Sequence, residues 1–270
     1  PVYPIMPSVI NVKREIADFI ARGNAIFTDE VLFGRALCRV NATPPPAVPE
    51  SNGPHTDLKV IRQVIETASE GYLSPEKVSM LLRAAGIETV PESVVTTAAE
   101  AVKAAALMGY PVVMKVIGPV HKSDIGGVAL NISTEERVRE EYSRMMALQE
   151  VTGILIQKMI SGRELFCGAT REDRYGHLVM AGMGGIFIEV FKDFATALVP
   201  VSDQEARSMI RSLKSYRIIK GVRGSAGVSE EGFARVITAL SALLAAAPQI
   251  AEMDINPLLG TPERIVAVDA

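Results

Sequence analysis

Apolar residues recur along this chain in two rhythms. Spacings of three and four residues, as in Val12, Ile16, Phe19 and Ile20 and again in Leu58, Ile61, Val64, Ile65 and Ala68, predict amphipathic helices, the first closed by Gly23. Thr28 or Asp29 is placed to cap a second helix through Val31, Leu32, Ala36 and Leu37. Ser74-Pro75-Glu76-Lys77 supplies a cap and a proline at the first helical position, and that helix carries Val78, Leu81, Leu82 and Ala85 before Gly86. Further helices are predicted over 97–108, 134–148, 202–213 and from Ser229 through Leu244; Asp203 and Glu205 put negative charge in the first turn of the third. Short β-branched and apolar runs predict strands at 90–95 (interrupted by Pro91), 112–116, from Val128, 154–159, 164–170, 177–181, 195–199, 251–259 and 264–269. Helices alternating with strands, then a β-rich stretch, indicate an α/β protein with α+β lobes. Residues 41–54, with Pro44, Pro45, Pro46, Pro49 and Pro54, predict an extended linker, and a domain boundary is expected there.

The densest chemistry lies in Gly109–Asn131. Lys115 sits inside the apolar run Val112–Val116, and His121, Lys122, Asp124 and Gly126-Gly127 follow it, all within thirteen residues. The pattern reads as strand, loop and strand, with a cation on the first strand and a glycine pair whose amides can approach an anion. A lone strand lysine is more often a solvated edge charge, and Gly-Gly more often a plain hairpin turn. Their clustering is what points to phosphate. Asp254-x-Asn256 has strand spacing, which sends both oxygen-bearing side chains to one face, and Asp269 ends the next strand. Three hard oxygen donors suit Mg²⁺, although Asn-Pro is also a common turn dipeptide. Gly182-Met183-Gly184-Gly185 lacks the strand, helix and downstream acid of a dinucleotide-binding turn.

Composition narrows the classes. With 28 basic and 31 acidic residues and a formal net charge of −3, the chain has no electrostatic case for nucleic-acid binding. Two cysteines, Cys38 and Cys167, far apart in sequence, argue against a disulfide framework or zinc site and suit a reducing cytoplasm. The most apolar stretch, 236–247, is too short to span a bilayer, and no secretory leader is visible, so no membrane association is expected. The start at Pro1 and the stop after Asp269-Ala270 suggest a segment of a longer protein.

Taken in order, GYPVVMKV, HKSDIGGV, Ile156-Gln157-Lys158-Met159 with Gly162-Arg163-Glu164, Gly182-Met183-Gly184-Gly185 and Asp254-Ile255-Asn256-Pro257 resemble the ATP-grasp portion of ADP-forming acyl-CoA synthetases, relatives of succinyl-CoA synthetase. The resemblance runs from about Ser74 to the C-terminus. It implies an ATP-grasp fold of two lobes over 57–270, a Pro-rich linker at 43–56, and at 1–42 the remnant of a flavodoxin-like CoA-ligase domain. It implies the reaction acyl-CoA + ADP + phosphate to carboxylic acid + CoA + ATP through a phosphohistidine, with ATP/ADP and Mg²⁺ as cofactors. His121 would carry the phosphoryl group, Lys115 would meet the phosphates, and Ser123, Gly126 and Gly127 would cover them. Gln157, Lys158 and Met159 would form the hinge that reads adenine, and Glu164 would take ribose hydroxyls, with a strand-edge carboxylate as the alternative. Arg223 would contact the transferring phosphate or the loop over it, with a solvated loop charge as the alternative, and Asp254, Asn256 and Asp269 would hold the metal. Glu189 and Asp193 would lie near the phosphate end. CoA-binding and CoA-ligase domains, bringing CoA and acyl-CoA, are the implied partners. Two other readings stay open, a catalytically silent regulatory nucleotide-binding module and an ATP-dependent carboxylate ligase without a phosphohistidine.

Overall fold

The computed structural model describes residues 4–6, 12–43, 56–118, 125–185, 188, 190–222, 224 and 226–270. The chain divides into two compact units, Pro1–Val48 and Pro49–Ala270. In the first, α1 (Lys13–Ala21) and α2 (Glu30–Ala42) follow an extended segment in which Ile5 bridges Phe27. Asp29 caps α2 by accepting from the Leu32 amide at 2.7 Å. Ile16 is the buried residue of α1, and α2 buries none.

The second unit opens with α3 (Leu58–Glu66) and α4 (Pro75–Ala84). Next come β1 (Glu92–Val95), α5 (Ala98–Met108), β2 (Val112–Ile117), β3 (Val128–Ile132), α6 (Glu135–Met146) and β4 (Gly153–Lys158). These four strands form an antiparallel sheet in the order β1-β4-β2-β3. Thr97 and Glu100 close a reciprocal capping box that fixes where α5 begins. One face of the sheet, with Val112, Met114, Val116, Ile154 and Ile156, joins Ala101, Ala105, Val138, Tyr142 and Met145 of α5 and α6 in a core.

The chain continues through β5 (Arg163–Glu172), β6 (Gly176–Met183), β7 (Phe194–Leu198), α7 (Asp203–Ser212), α8 (Tyr216–Lys220), α9 (Glu230–Ala246), β8 (Glu252–Gly260) and β9 (Ile265–Ala267). The second sheet runs β7-β6-β5-β8-β9, also antiparallel. Its core face packs Leu165, Cys167, Val179, Ala181, Ile255 and Leu258 against Phe233, Ile237 and Leu240 of α9. Leu81 and Leu82 of α4 belong to this second core although they precede the first sheet in sequence. The α3–α4 pair is therefore part of the second lobe, and the chain enters the first sheet from there.

The sequence run 90–95 splits at Pro91, which has no amide to give. Val90 donates to Ala267 of β9 at 3.1 Å and Ala267 donates back to Glu88 at 2.8 Å, while Glu92–Val95 pairs with β4. Asn256-Pro257 lies within β8 and not in a turn. Five-residue α8 was not predicted, because it is too short to display helical periodicity.

Asp193, only 6% exposed, accepts from the amides of Lys214 at 2.9 Å and Ser215 at 2.8 Å and so holds the turn that starts α8 against β7. Burial works to raise its pKa, but the hydrogen bonds from Ser215 and Lys214 outweigh it and hold the carboxyl below its usual range. The contribution is present above the unfolded carboxylate pKa and is lost as pH falls through the native value. Asp193→Ala is expected to cost about 1–3 kcal/mol in urea unfolding at neutral pH. The gap to wild type should shrink on acidification; a gap independent of pH would refute the assignment.

Candidate functional site

Alternation along β2 and β4 puts Lys115 and Gln157 on the face turned away from α5 and α6. Register confirms the grouping, since Val113 pairs with Gln157, Lys115 with Leu155, and Glu92 of β1 with Gln157. That face meets the end of the second sheet. Lys115 is only 5% exposed, and its Nζ donates to the Val268 carbonyl at 3.0 Å and lies 3.3 Å from Asp269 Oδ2. A solvated edge lysine is thereby ruled out. Gln157, 2% exposed, donates through Nε2 to Glu92 Oε2 at 2.8 Å and to the Val268 carbonyl at 3.0 Å. Its Oε1 is buried and has no hydrogen-bond partner among the described residues. Glu92 escaped the sequence reading because its role depends on strand register.

Across the junction, Asp254 and Asn256 project from β8 on the face opposite the fully buried Ile255. The Asn256 amide donates to the Asp269 carbonyl at 3.0 Å, so Asp269 does stand across from the pair. Partial burial first, then the charges of Glu252 and Asp269, raise the Asp254 carboxyl above its ordinary range. Asp254 still meets solvent, so the effect is screened. Among the described residues no three His, Cys, Asp or Glu side chains converge as a metal cluster, and Asn256 is the third donor here. Two carboxylates whose like charges meet beside a hard amide oxygen form a donor set that a divalent cation would relieve.

The hinge residues divide their roles. The Lys158 and Met159 amides donate to Pro91 and Pro111 at 3.1 and 3.3 Å, and Lys158 Nζ donates to the Gly109 carbonyl at 2.6 Å. These two amides are committed within the sheet, so a base contact there falls to carbonyls or to the half-buried Met159 side chain. Glu164 is not brought to the Lys115–Asp269 junction. It pairs with Leu259, whereas Asp254 pairs with Gly168, four residues along β5 or roughly 13 Å. Glu164 lies against Gly185, where an added Cβ would sit 2.6 Å from Oε2, in an open recess of about 540 Å³ lined also by Arg163, Met183, Ile218 and Val222. Glycines at 184 and 185 are thus needed for close approach to Glu164, a packing reason for the GMGG stretch.

Gly126, at φ +69°, and Gly127 close the β2–β3 connection, with the Val116 amide donating to Gly127 at 2.9 Å. His121, Lys122, Ser123, Asp124, Glu189 and Arg223 lie outside the described residues. Asp193 is turned inward on Lys214 and Ser215, and its carboxylate is committed to the fold and not to a ligand. Cys167 is buried in β5, with burial first and then Asp254 pushing its thiol well above the usual range, which leaves it unreactive at neutral pH. No described helix is long and apolar enough to cross a membrane.

A family model described as "ATP-grasp domain" matches residues 64–270. The beta subunit of acetate–CoA ligase [ADP-forming] I from Pyrococcus furiosus is 36% identical over 222 residues, covering 77% of this chain and 95% of that subunit. A Ca. Korarchaeum cryptofilum dinucleotide-forming acetyl-coenzyme A synthetase 1, solved with coenzyme A and Ca-AMPCP, superposes with TM-score 0.73 at 32% identity over 79% of this chain and 97% of that one. The same enzyme with Mg-AMPPCP, its phosphohistidine segment pointing towards the nucleotide-binding site, gives TM-score 0.67 at 32% identity, again over 79% and 97%.

Asp254→Asn removes a carboxylate that is raised by its surroundings, whose stabilising contribution is greatest below the unfolded pKa and falls as pH rises. The variant is expected to melt slightly higher than wild type at pH 7 without metal, and to lose the stabilisation that Mg²⁺ gives wild type. Equal melting of the two proteins in EDTA and equal response to Mg²⁺ would sink this donor set.

Proposed function

This chain belongs to the ATP-grasp family and is the nucleotide-binding part of an ADP-forming acyl-CoA synthetase, and we propose that it transfers phosphoryl groups between a phosphohistidine and ADP. The observation that carries the reading is the junction where Lys115, Asp269, Asp254 and Asn256 meet between two sheets. A buried ammonium beside a carboxylate pair is a poor device for stability alone but suits a ligand that brings both phosphate and a divalent cation.

When ADP binds, Lys115 turns its charge from Asp269 to the phosphate oxygens, and Asp269, Asn256 and Asp254 are the residues that would hold Mg²⁺. The cation supplies charge neutralisation at the transferring phosphoryl group. Ser123 and the amides of Gly126 and Gly127 cover the phosphates, and Arg223 adds positive charge. Gln157, Lys158 and Met159 border the base, and Glu164 faces the sugar end. His121 attacks the phosphoryl group of a partner phosphohistidine and then passes it to ADP, giving ATP. Across the complete enzyme the reaction is acyl-CoA + ADP + phosphate to carboxylic acid + CoA + ATP. CoA-binding and CoA-ligase domains, in the same longer chain or a separate subunit, supply the acyl half, and residues 1–42 are the tail of such a domain joined through the linker at 43–56. We place the protein in the cytoplasm.

Intact mass after incubation with Mg²⁺ and ATP, under neutral or alkaline conditions, tests the chemistry. A phosphate-sized gain is expected in wild type, absent in His121→Ala and reversed by ADP. Nucleotide binding without any gain, even with the CoA-ligase partner added, would overturn the phosphoryl-carrier reading.

A second test exploits opposite signs. Asp269 pairs with Lys115, so Asp269→Asn is expected to tighten ADP binding in EDTA and weaken it in Mg²⁺, each measured by calorimetry. Lys115→Met should lose roughly 10- to 100-fold in both, the range of a charge-assisted hydrogen bond. Weakening of Asp269→Asn under both conditions would mean that Asp269 does not compete for Lys115.

A further inference from the structure

Glu141 is a carboxylate on the core side of α6, 9% exposed and flanked by the buried Val138, Tyr142 and Met145. A carboxylate in such a place costs free energy unless it is paired and hydrogen-bonded. Both oxygens are engaged, Oε1 by Arg137 Nη2 at 2.9 Å and Oε2 by Arg144 Nε at 2.7 Å. Arg144 then reaches beyond its own helix, where Nη1 donates to the Gly126 carbonyl at 3.0 Å. The neighbouring ion pairs of α6, Arg137–Glu140 and Arg139–Glu135, stay on the exposed face of the helix and are of the kind worth little. Arg144 differs from them by linking a buried acid to the glycine pair.

The peptide at Gly126-Gly127 is consequently held from two sides. The β2 amide of Val116 binds Gly127, and the α6 guanidinium binds Gly126, which has the left-handed φ of +69° that a side chain would resist. On the other side of the β2–β3 connection, Gly118 has φ +121° and packs so closely on the Glu150 carbonyl that no Cβ would fit, and the Thr152 amide donates to Ile117 at 2.9 Å. Glycine alone would leave residues 126–127 with the widest conformational choice in the chain, and an anion site built of backbone amides needs that choice removed before the ligand arrives. Arginine suits the task because Nε and Nη1, on one rigid plane, serve a carboxylate and a carbonyl together.

We propose that Arg144, oriented by Glu141, is a positioning residue for nucleotide phosphate, acting through Gly126-Gly127 without touching the nucleotide. The inference rests on the nucleotide-binding reading of those glycines. Arg144→Met, Arg144→Lys and Lys115→Met separate the possibilities, with dissociation constants for ADP in Mg²⁺ by calorimetry and hydrogen exchange of a peptide spanning Gly126–Val128 without nucleotide. Arg144→Met should bind ADP about tenfold more weakly, the lower end for a hydrogen bond from a charged donor. Its exchange at Gly126–Val128 should be faster while exchange outside α6 and residues 126–128 stays close to wild type, and its urea midpoint should fall because Glu141 keeps only Arg137 as a partner. Arg144→Lys, which keeps the charge but offers one nitrogen in place of the fork, should recover part of both losses. Unchanged affinity and exchange in Arg144→Met, beside a clear loss in Lys115→Met, would overturn the role of Arg144 alone. Wild-type affinity in Lys115→Met would overturn the nucleotide reading and this inference with it.

Discussion

An ammonium group with 5% of its residue surface in water must be neutralised by the protein around it, and in this chain that requirement falls on Lys115. The partners lie more than 150 residues away in sequence, at Val268 and Asp269. Meeting them forces the end of the second sheet against the open face of the first. Gln157 reaches the same Val268 carbonyl, so two side chains from neighbouring strands converge on one oxygen. The junction depends on strand parity. A shift of β2 by one residue would send Lys115 into the apolar core under α5 and α6, and Met114 into the junction.

The same logic of faces organises the second lobe. Ile255 and Leu258 carry β8 into the large core, which frees the alternate positions, Asp254 and Asn256, to gather oxygen on the other side. Hydrophobic burial of one face is what makes the polar character of the other affordable, since a strand anchored by apolar contacts tolerates a carboxylate raised by its neighbours. The α3–α4 pair adds Ile61, Val64, Leu81 and Leu82 to that core, although it precedes the first sheet in sequence.

Much of this was legible in the sequence. The β-branched runs, the Ser74-Pro75 helix start and the Asp254-x-Asn256 spacing are local signals, and the elements they specify occur where periodicity placed them. Lys115 stood out because a charge inside an apolar strand conflicts with its surroundings. Glu92, Arg144 and Glu141 did not stand out, because an acid at a strand start and an Arg–Glu pair on a polar helix are ordinary until register or tertiary reach gives them a partner. The structural use of Asp193 was not legible either: the resemblance placed it near the phosphate end, and only the fold shows two backbone amides donating to its carboxylate. How far Glu164 stands from Asp254 was likewise not legible, because the separation is set by their register along β5.

Charges at this site follow a single design consideration. Lys115 and Asp269 attract, Asp254 and Asp269 repel, and the ligand set proposed here rearranges both relations at once: phosphate replaces Asp269 at Lys115, and a divalent cation turns carboxylate repulsion into coordination. The ion pair with Asp269 and the hydrogen bond to the Val268 carbonyl satisfy the buried ammonium and link the two lobes. Binding then exchanges one set of compensations for another and leaves no charge bare. Because the exchange needs anion and cation together, either alone finds the site partly occupied by the protein's own counter-charge. On that proposal, preference for the metal–nucleotide complex over its separate parts would follow from the arrangement of Lys115, Asp254 and Asp269.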